Sequence, residues 1–330
     1  MYARIKKRWG LFTVMLLMIA AIIAGCGTGT VDQNQTKGEE SNPQTEATPS
    51  QGKFPVTLTD TAGNEVTIEQ EPQKIISIQT STTEIAFALG LGDKIIGVSD
   101  YCNYPEEVNN KEKVGAQTMN AEKILQLMPD LILVTDYHQE KHANILEQFR
   151  QVGSKVIVIG SASSFEDAYQ HMRIIAKATA TEEKAEEIIT DMKTRLEAIK
   201  EKAKAITQPK KVWIEVAPAP DIFTTGKGTF LHEMLESIHA TNVAGDQVGW
   251  IKFTEEQAVN LMPEVIITTY GYYVDNPAED VLKREGWQGV PAVQQKQVFD
   301  VDNDTVTRPG PRLIDGVETL AKLIYPETFK

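Results

Sequence analysis

The sequence predicts an α/β protein of two similar lobes. Each lobe holds a mainly parallel central sheet flanked by helices, and one long backbone helix joins them, with a ligand cleft between. Three observations predict this. Strands and helices alternate along most of the chain, a segment recurs at a constant shift of 134 residues, and a single amphipathic helix lies between the copies. The 330 residues and 41 % apolar content suffice for two core-bearing units. A net charge of −13 argues against a nucleic-acid partner, and two cysteines cannot form a disulfide scaffold.

Residues 1–25 read as a secretion leader: Arg4, Lys6, Lys7 and Arg8, then the apolar run 11–24, then Gly25-Cys26. Ile23-Ala24-Gly25-Cys26 resembles the bacterial lipobox, in which cleavage precedes the cysteine and the thiol is acylated. This implies a lipid on Cys26, an extracytoplasmic location and anchorage to the bacterial cell membrane. Taking the leader's four bases from 33 leaves 29 Lys+Arg against 46 acids, a net −17. Such a surface suits a basic docking partner. Residues 26–52 carry one valine and no larger apolar side chain after Cys26, and are expected to form a disordered tether of roughly 30 Å root-mean-square span.

The body is divided into a first lobe (53–180), a connecting helix (181–207) and a second lobe (208–330). FPVTLTDTAGNEVTIEQ (54–70) alternates around Ala62-Gly63-Asn64 and reads as a β-hairpin. KIISI (74–78) is a short buried strand, and TTEIAFALGLGDKIIGVSD (82–100) is a helix followed by a strand. The same order returns through 114–137 and again at KVIVIG (155–160). Asn120–Thr135 then aligns with Thr254–Thr269. The two share Glu122 and Glu256, Leu-Met-Pro-acid, and a β-branched strand, while KIISI has its counterpart in KVWIEV at 211.

Between the copies, Ile188, Met192, Leu196, Ile199, Ala203 and Ile206 form one stripe at helical spacing. Thr181 is placed to cap this helix, Glu182, Glu183 and Glu186 favour its positive end, and Pro209 limits it. One stiff connector predicts small twists rather than wide hinge motion, hence a largely preformed cleft.

Enzyme motifs are sparse. Gly90-Leu91-Gly92 lacks a third glycine, Gly226-Lys227-Gly228-Thr229 lacks phosphate-loop spacing, and no GxSxG occurs. His138 and His142 are one helical turn apart. They read as part of a polar helix on the rim of the first lobe, with a zinc or haem ligand role, and so an extracellular metal-dependent hydrolase, as the alternative. Cys102 reads as a small inert residue. Aromatics give a stronger pattern. Tyr101, Tyr104, Tyr137, Phe223, Trp250, Tyr270, Tyr272 and Tyr273 lie at or near strand exits, where open α/β sheets bind ligands, and favour a large flat one.

Residues 54–330 resemble the substrate-binding lipoproteins of ABC importers for cobalamin, ferric siderophores and haem, of the helical-backbone type. LTDTAGNEVTI, KIISIQTSTTEIAFALGLGDKIIGVSDYCNYP, the two repeat segments, IFTTGKGTFLHEML, GWQGVPAVQQKQVFDVD and TRPGPRLIDGVETLAKLIYPE carry the resemblance. It is nearest to the cobalamin-binding branch, whose ligand contacts correspond to Tyr101, Phe223, Trp250, Asp304 and Arg308, with Tyr104 and Gln117 beside them. The tyrosine pattern adds Tyr270. Ala116 departs from that branch, which has a tryptophan there. The resemblance further implies that Glu122 and Glu256 dock on arginines of the permease. The expected protein is a non-enzymatic monomer without a cofactor of its own. It would capture cobalamin, or alternatively a ferric siderophore or haem, for an ABC permease and its ATPase.

Overall fold

The computed structural model describes residues 53–330; the readings for the leader, Cys26 and the tether lie outside the described residues. The expected hairpin pairs β1 (Val56–Thr59) antiparallel with β2 (Glu65–Ile68). Asp60 holds its turn by accepting the Ala62 and Asn64 amides at 3.0 and 2.8 Å, and it also accepts the Val158 amide at 3.0 Å. One carboxylate thus shapes the turn and fastens it to the first lobe.

In that lobe β3 (Ile75–Ser77), β4 (Ile95–Val98), β5 (Glu112–Lys113), β6 (Leu131–Val134) and β7 (Lys155–Val158) form a parallel sheet in the order β5-β4-β3-β6-β7. The connecting helices are α1 (Thr80–Ala88), α2 (Ala121–Leu127), α3 (Asp136–Lys141), α4 (Ala143–Gln151) and α5 (Phe165–Thr179). After α6 (Glu182–Ala203) the second lobe begins with β8 (Lys211–Glu215), β9 (Ile222–Thr225), α7 (Phe230–Ser237), β10 (Thr241–Asn242) and β11 (Trp250–Phe253). It continues through α8 (Glu255–Asn260), β12 (Val265–Thr268), α9 (Pro277–Lys283), α10 (Pro291–Gln294), β13 (Val298–Asp300), α11 (Asn303–Thr307) and α12 (Leu313–Ile324). Its sheet runs β10-β8-β12-β13, again parallel, while β9 and β11 make a separate antiparallel ribbon. Since β3 corresponds to β8 and β6 to β12, the four strands β10-β8-β12-β13 repeat the order of β4-β3-β6-β7, with β5 an extra edge strand of the first lobe.

Alternation along the strands explains the layering. Ile75, Leu131, Leu133 and Ile157 point one way and join Val212, Ile214, Val265 and Ile267 of the second lobe in one continuous core, together with α1, α5, α6, α7 and α12. Ile76, Ile132, Val134, Val156 and Val158 point the other way into an outer core of the first lobe, as Trp213 and Ile266 do in the second. A helical layer shared by both sheets therefore braces the lobes, beyond what one connector supplies.

The repeat is a repeat of backbone geometry as well. Asn120 and Thr254 cap their helices by accepting the amides of Lys123 and Gln257. Each helix gives way to a methionine, Met128 or Met262, with φ of +49° in the left-handed region. The acid that follows ties down the neighbouring strand: Asp130 accepts the amides of Gln73 and Lys74, and Glu264 accepts that of Lys211.

The connecting helix differs from expectation in detail. Its buried stripe is Ala185, Ile189, Met192, Leu196, Ile199 and Ala203, with Ile188 only half-buried beside it. Thr181 stands at the N-cap without capping, because its hydroxyl meets that of Thr179 at 3.0 Å. Glu186 pairs with Arg173 at 2.7 Å rather than serving only the helix end. At 1.5 Å per residue, 22 residues span about 33 Å, and α6 packs on α5 of one lobe and on α7 and α12 of the other.

Candidate ligand-binding cleft

Parallel strands deliver all their carboxyl ends to one edge of a sheet, and here the edges of both sheets contribute to one cavity of about 820 Å³. From the first lobe come Ile78 after β3, Tyr101 and Asn103 after β4, Ala116 and Gln117 after β5, and Tyr137 and His138 after β6. The second lobe supplies Tyr272 after β12 and Asp302, Asp304 and Arg308 after β13. Helix α1 opens onto the cavity through Gln79 and Thr80.

Of the expected binding residues, the cavity gathers Tyr101, Gln117, Asp304 and Arg308. Tyr101 and Tyr272 face it from opposite lobes with 72 % and 73 % of their surfaces exposed. Four expectations change. Tyr270 is 1 % exposed, and its hydroxyl donates to Glu215 at 2.7 Å. Burial, then the Glu215 carboxylate, pushes its pKa well above the ordinary phenol value, so it acts as a packed donor. Glu215 is itself fully buried and also accepts from Trp213 Nε1 and both terminal nitrogens of Arg284. Tyr104 stacks on Arg312, 3.9 Å from ring centroid to guanidinium carbon, beside a separate small pocket. Phe223 and Trp250 are exposed on the same face of the β9–β11 ribbon and do not line the cavity. Trp250 meets Phe230 edge-on, with centroids 6.4 Å apart.

Arg308 lines the cavity without offering a free charge. Its Nη1 donates to Glu84 at 2.8 Å and to Asn103 at 2.7 Å, and its Nη2 meets Asp304 at 2.7 Å. Arg312 makes a two-point contact with the same Glu84 at 2.8 Å. Glu84 belongs to the first lobe and both arginines to the second, so a buried carboxylate clasps the lobes at the cavity edge. Nothing in the local sequence marks Glu84; Asn103 and Asp302 could have been found by their positions just beyond strands, as Tyr137 and Tyr272 were.

The two histidines are not arranged as a metal pair. Carbonyl oxygens only accept, so His138 Nε2 carries a proton and donates to the Ala116 carbonyl at 2.9 Å. Its Nδ1 accepts from the Thr135 amide at 3.2 Å, closing the capping box of α3. Burial is the main cause holding His138 below the ordinary imidazole pKa, against the opposing hydrogen bond to Ala116. His142 Nε2 likewise donates to the Gln117 carbonyl at 2.9 Å. Among the described residues no group of three or more His, Cys, Asp or Glu side chains is disposed to hold a metal ion.

Glu122 and Glu256 are each the second residue of their helices and are exposed. Both helices run back to strand amino ends, so their first turns lie at the cavity end of each lobe. Cys102 is buried, with its thiol donating to Thr83 at 3.3 Å. No helix among the described residues is long and apolar enough to cross a membrane.

Two parallel α/β lobes on a shared helical layer, with a cavity where their strand ends meet, define a two-lobed binding protein. Residues 75–305 match the family described as periplasmic binding protein, and the chain belongs to it. It is a substrate-binding protein of the ABC transporter type and not an enzyme, which sets aside the metal-dependent hydrolase; such proteins work with a permease and an ATPase. Over 327 residues it is 45 % identical to the uncharacterised ABC transporter substrate-binding lipoprotein YvrC of Bacillus subtilis, covering 98 % of this chain and 99 % of that one. A vitamin B12-binding protein of Vibrio cholerae is 30 % identical over 249 residues, 74 % of this chain and 87 % of its own. A crystal structure from Staphylococcus epidermidis, described as a possible iron-binding (periplasmic solute-binding) protein, superposes with a TM-score of 0.70 at 32 % identity, covering 78 % of this chain and 100 % of that one.

Proposed function

We propose that this protein captures a cobalamin-type corrinoid outside the cytoplasm and delivers it to its permease, held at the membrane by a lipid on Cys26. The cavity wall carries the reading. It offers tyrosine rings and the neutral amides of Gln79, Asn103, Gln117 and Asn303, while its one arginine is neutralised by Glu84 and Asp304. A bulky ligand rimmed with amides finds matching donors and acceptors there. Haem propionates or an anionic ferric chelate would face Asp302 and Asp304 with no free cation on the lining among the described residues. The vitamin B12-binding relative supports the same choice.

In this reading Tyr101 and Tyr272 approach the ligand from opposite lobes. Phe223 and Trp250, sharing one ribbon face, add a stacking wall as the lobes tilt together. Glu122 and Glu256 dock the loaded protein on permease arginines, and the protein acts as a monomer without a cofactor. A ferric siderophore without net negative charge is the second reading, favoured by Ala116, which lines the cavity with a methyl group and no ring. Calorimetric titration of the purified protein with cyanocobalamin, hemin and ferrichrome tests the choice. Binding of cyanocobalamin in preference to the others is expected; no heat with it beside tight ferrichrome binding would overturn the corrinoid reading.

A further inference from the structure

The segment Gly115–Met119 contributes Ala116 and Gln117 to the cavity wall. It closes on itself through an isolated bridge between Gly115 and Met119 and a 3.3 Å bond from the Ala116 amide to the Thr118 carbonyl. Gly115 has φ of +91°, and a Cβ there would lie 2.3 Å from the Thr118 carbonyl oxygen, so the turn depends on glycine. Such a short loop, with Ala116 and Gln117 at its tip, has little of its own to fix the direction of the Gln117 amide. Two outward carbonyls, those of Ala116 and Gln117, would need partners.

Both partners are imidazoles from the neighbouring α3–α4 segment. His138 holds the Ala116 carbonyl and His142 the Gln117 carbonyl, each at 2.9 Å. The rings stand 6.1 Å apart, and Tyr137 meets each edge-on at 5.8 and 5.9 Å. His138 is anchored from behind by Thr135, whose amide and hydroxyl reach Nδ1 at 3.2 and 2.7 Å. The clamp therefore rests on a helix cap, a rigid support, and its third ring already faces the cavity.

We infer that His142, which does not line the cavity, and His138, which also borders it, are positioning residues: they fix the Ala116–Gln117 wall and thereby set the shape of the ligand site. The inference deepens the proposed function and rests on it for the ligand used in one arm of the test. That arm measures cyanocobalamin affinity in His142→Leu and His142→Gln, and in His138→Leu and His138→Gln. Glutamine keeps a donor near the place of Nε2, whereas leucine keeps only bulk. The other arm follows amide hydrogen exchange of the 112–121 peptide in the ligand-free full chain.

In the leucine variants that peptide is expected to exchange about tenfold faster and Kd to rise five- to tenfold, the loss of one ordinary hydrogen bond. The glutamine variants should stay within about twofold of wild type in both. A thermal melt of each variant separates wall loosening from general unfolding, and the His142 pair, being partly exposed, keeps the test open should His138→Leu fold poorly. Unchanged exchange in His142→Leu, equal behaviour of leucine and glutamine variants, or faster exchange with an unchanged Kd would each overturn the inference. The exchange arm uses no ligand, so wild-type protein that ignores cyanocobalamin would overturn the corrinoid reading alone.

Discussion

The two copies of the Leu-Met-Pro-acid segment agree along their helices and at the amino ends of their sheets, and diverge in the segments that precede them on the cavity side. At the sheet base each has a left-handed methionine and an acid that accepts amides from the strand alongside, and at its other end each helix carries the same kind of side-chain cap. Towards the cavity, the first copy is preceded by the histidine-clamped loop at 115–119, the second by the exposed β9–β11 ribbon. Their polar supports differ too. Glu255 of the second copy accepts the indole N–H of Trp287, whereas Ala121 fills that place in the first. The common parts are those that hold strands in register, and the unlike parts are those that can meet ligand.

The largest effect should come from the feature both halves share at the cavity end. Reversing Glu122 and Glu256 together, each to lysine, is expected to abolish substrate uptake by the reconstituted transporter while leaving ligand affinity within about twofold; unchanged uptake would remove the docking role. Exposed ion pairs are each worth about 0–1 kcal/mol, so single reversals should slow association more than they weaken it.

Next comes the contact that only the assembled pair of lobes possesses. Glu84→Ala leaves Arg308 and Arg312 facing each other without their carboxylate, and should cost about 3–5 kcal/mol in urea unfolding. A loss under 1 kcal/mol would mean that Asp302 and Asp304 already neutralise the arginines. The smallest effect sharpens the comparison of copies. Asp130 accepts two backbone amides and Glu264 one, so Asp130→Ala should destabilise by about 2 kcal/mol and Glu264→Ala by about 1. Equal losses would show that the second amide contributes nothing.

Much of this architecture was legible from local pattern. Two-residue alternation and buried β-branched runs identified the strands, and the constant 134-residue shift identified the second lobe. Expecting ligand contacts beyond strand ends led to Tyr101, Tyr137 and Tyr272, and the family resemblance led to Gln117 and Asp304. What escaped depends on partners far away in the chain. Tyr270 looked like a cleft residue because it follows a strand, but its hydroxyl belongs to Glu215, 55 residues earlier. Arg308 looked free because Glu84 lies 224 residues away, and Tyr104 because Arg312 covers its ring. The histidines had metal-like spacing, and only the fold reveals that two backbone carbonyls were waiting for them.

The helical layer trapped between the sheets has a further consequence. Side chains from both halves interleave there, from Leu58 near one end of the described chain to Phe329 near the other. Cutting the chain at either end of α6 would leave each fragment with a wide greasy face and no cover. Neither half should fold in isolation, and heating should melt the whole body in one step, so a permease that empties the cleft must prise apart walls standing on a common foundation.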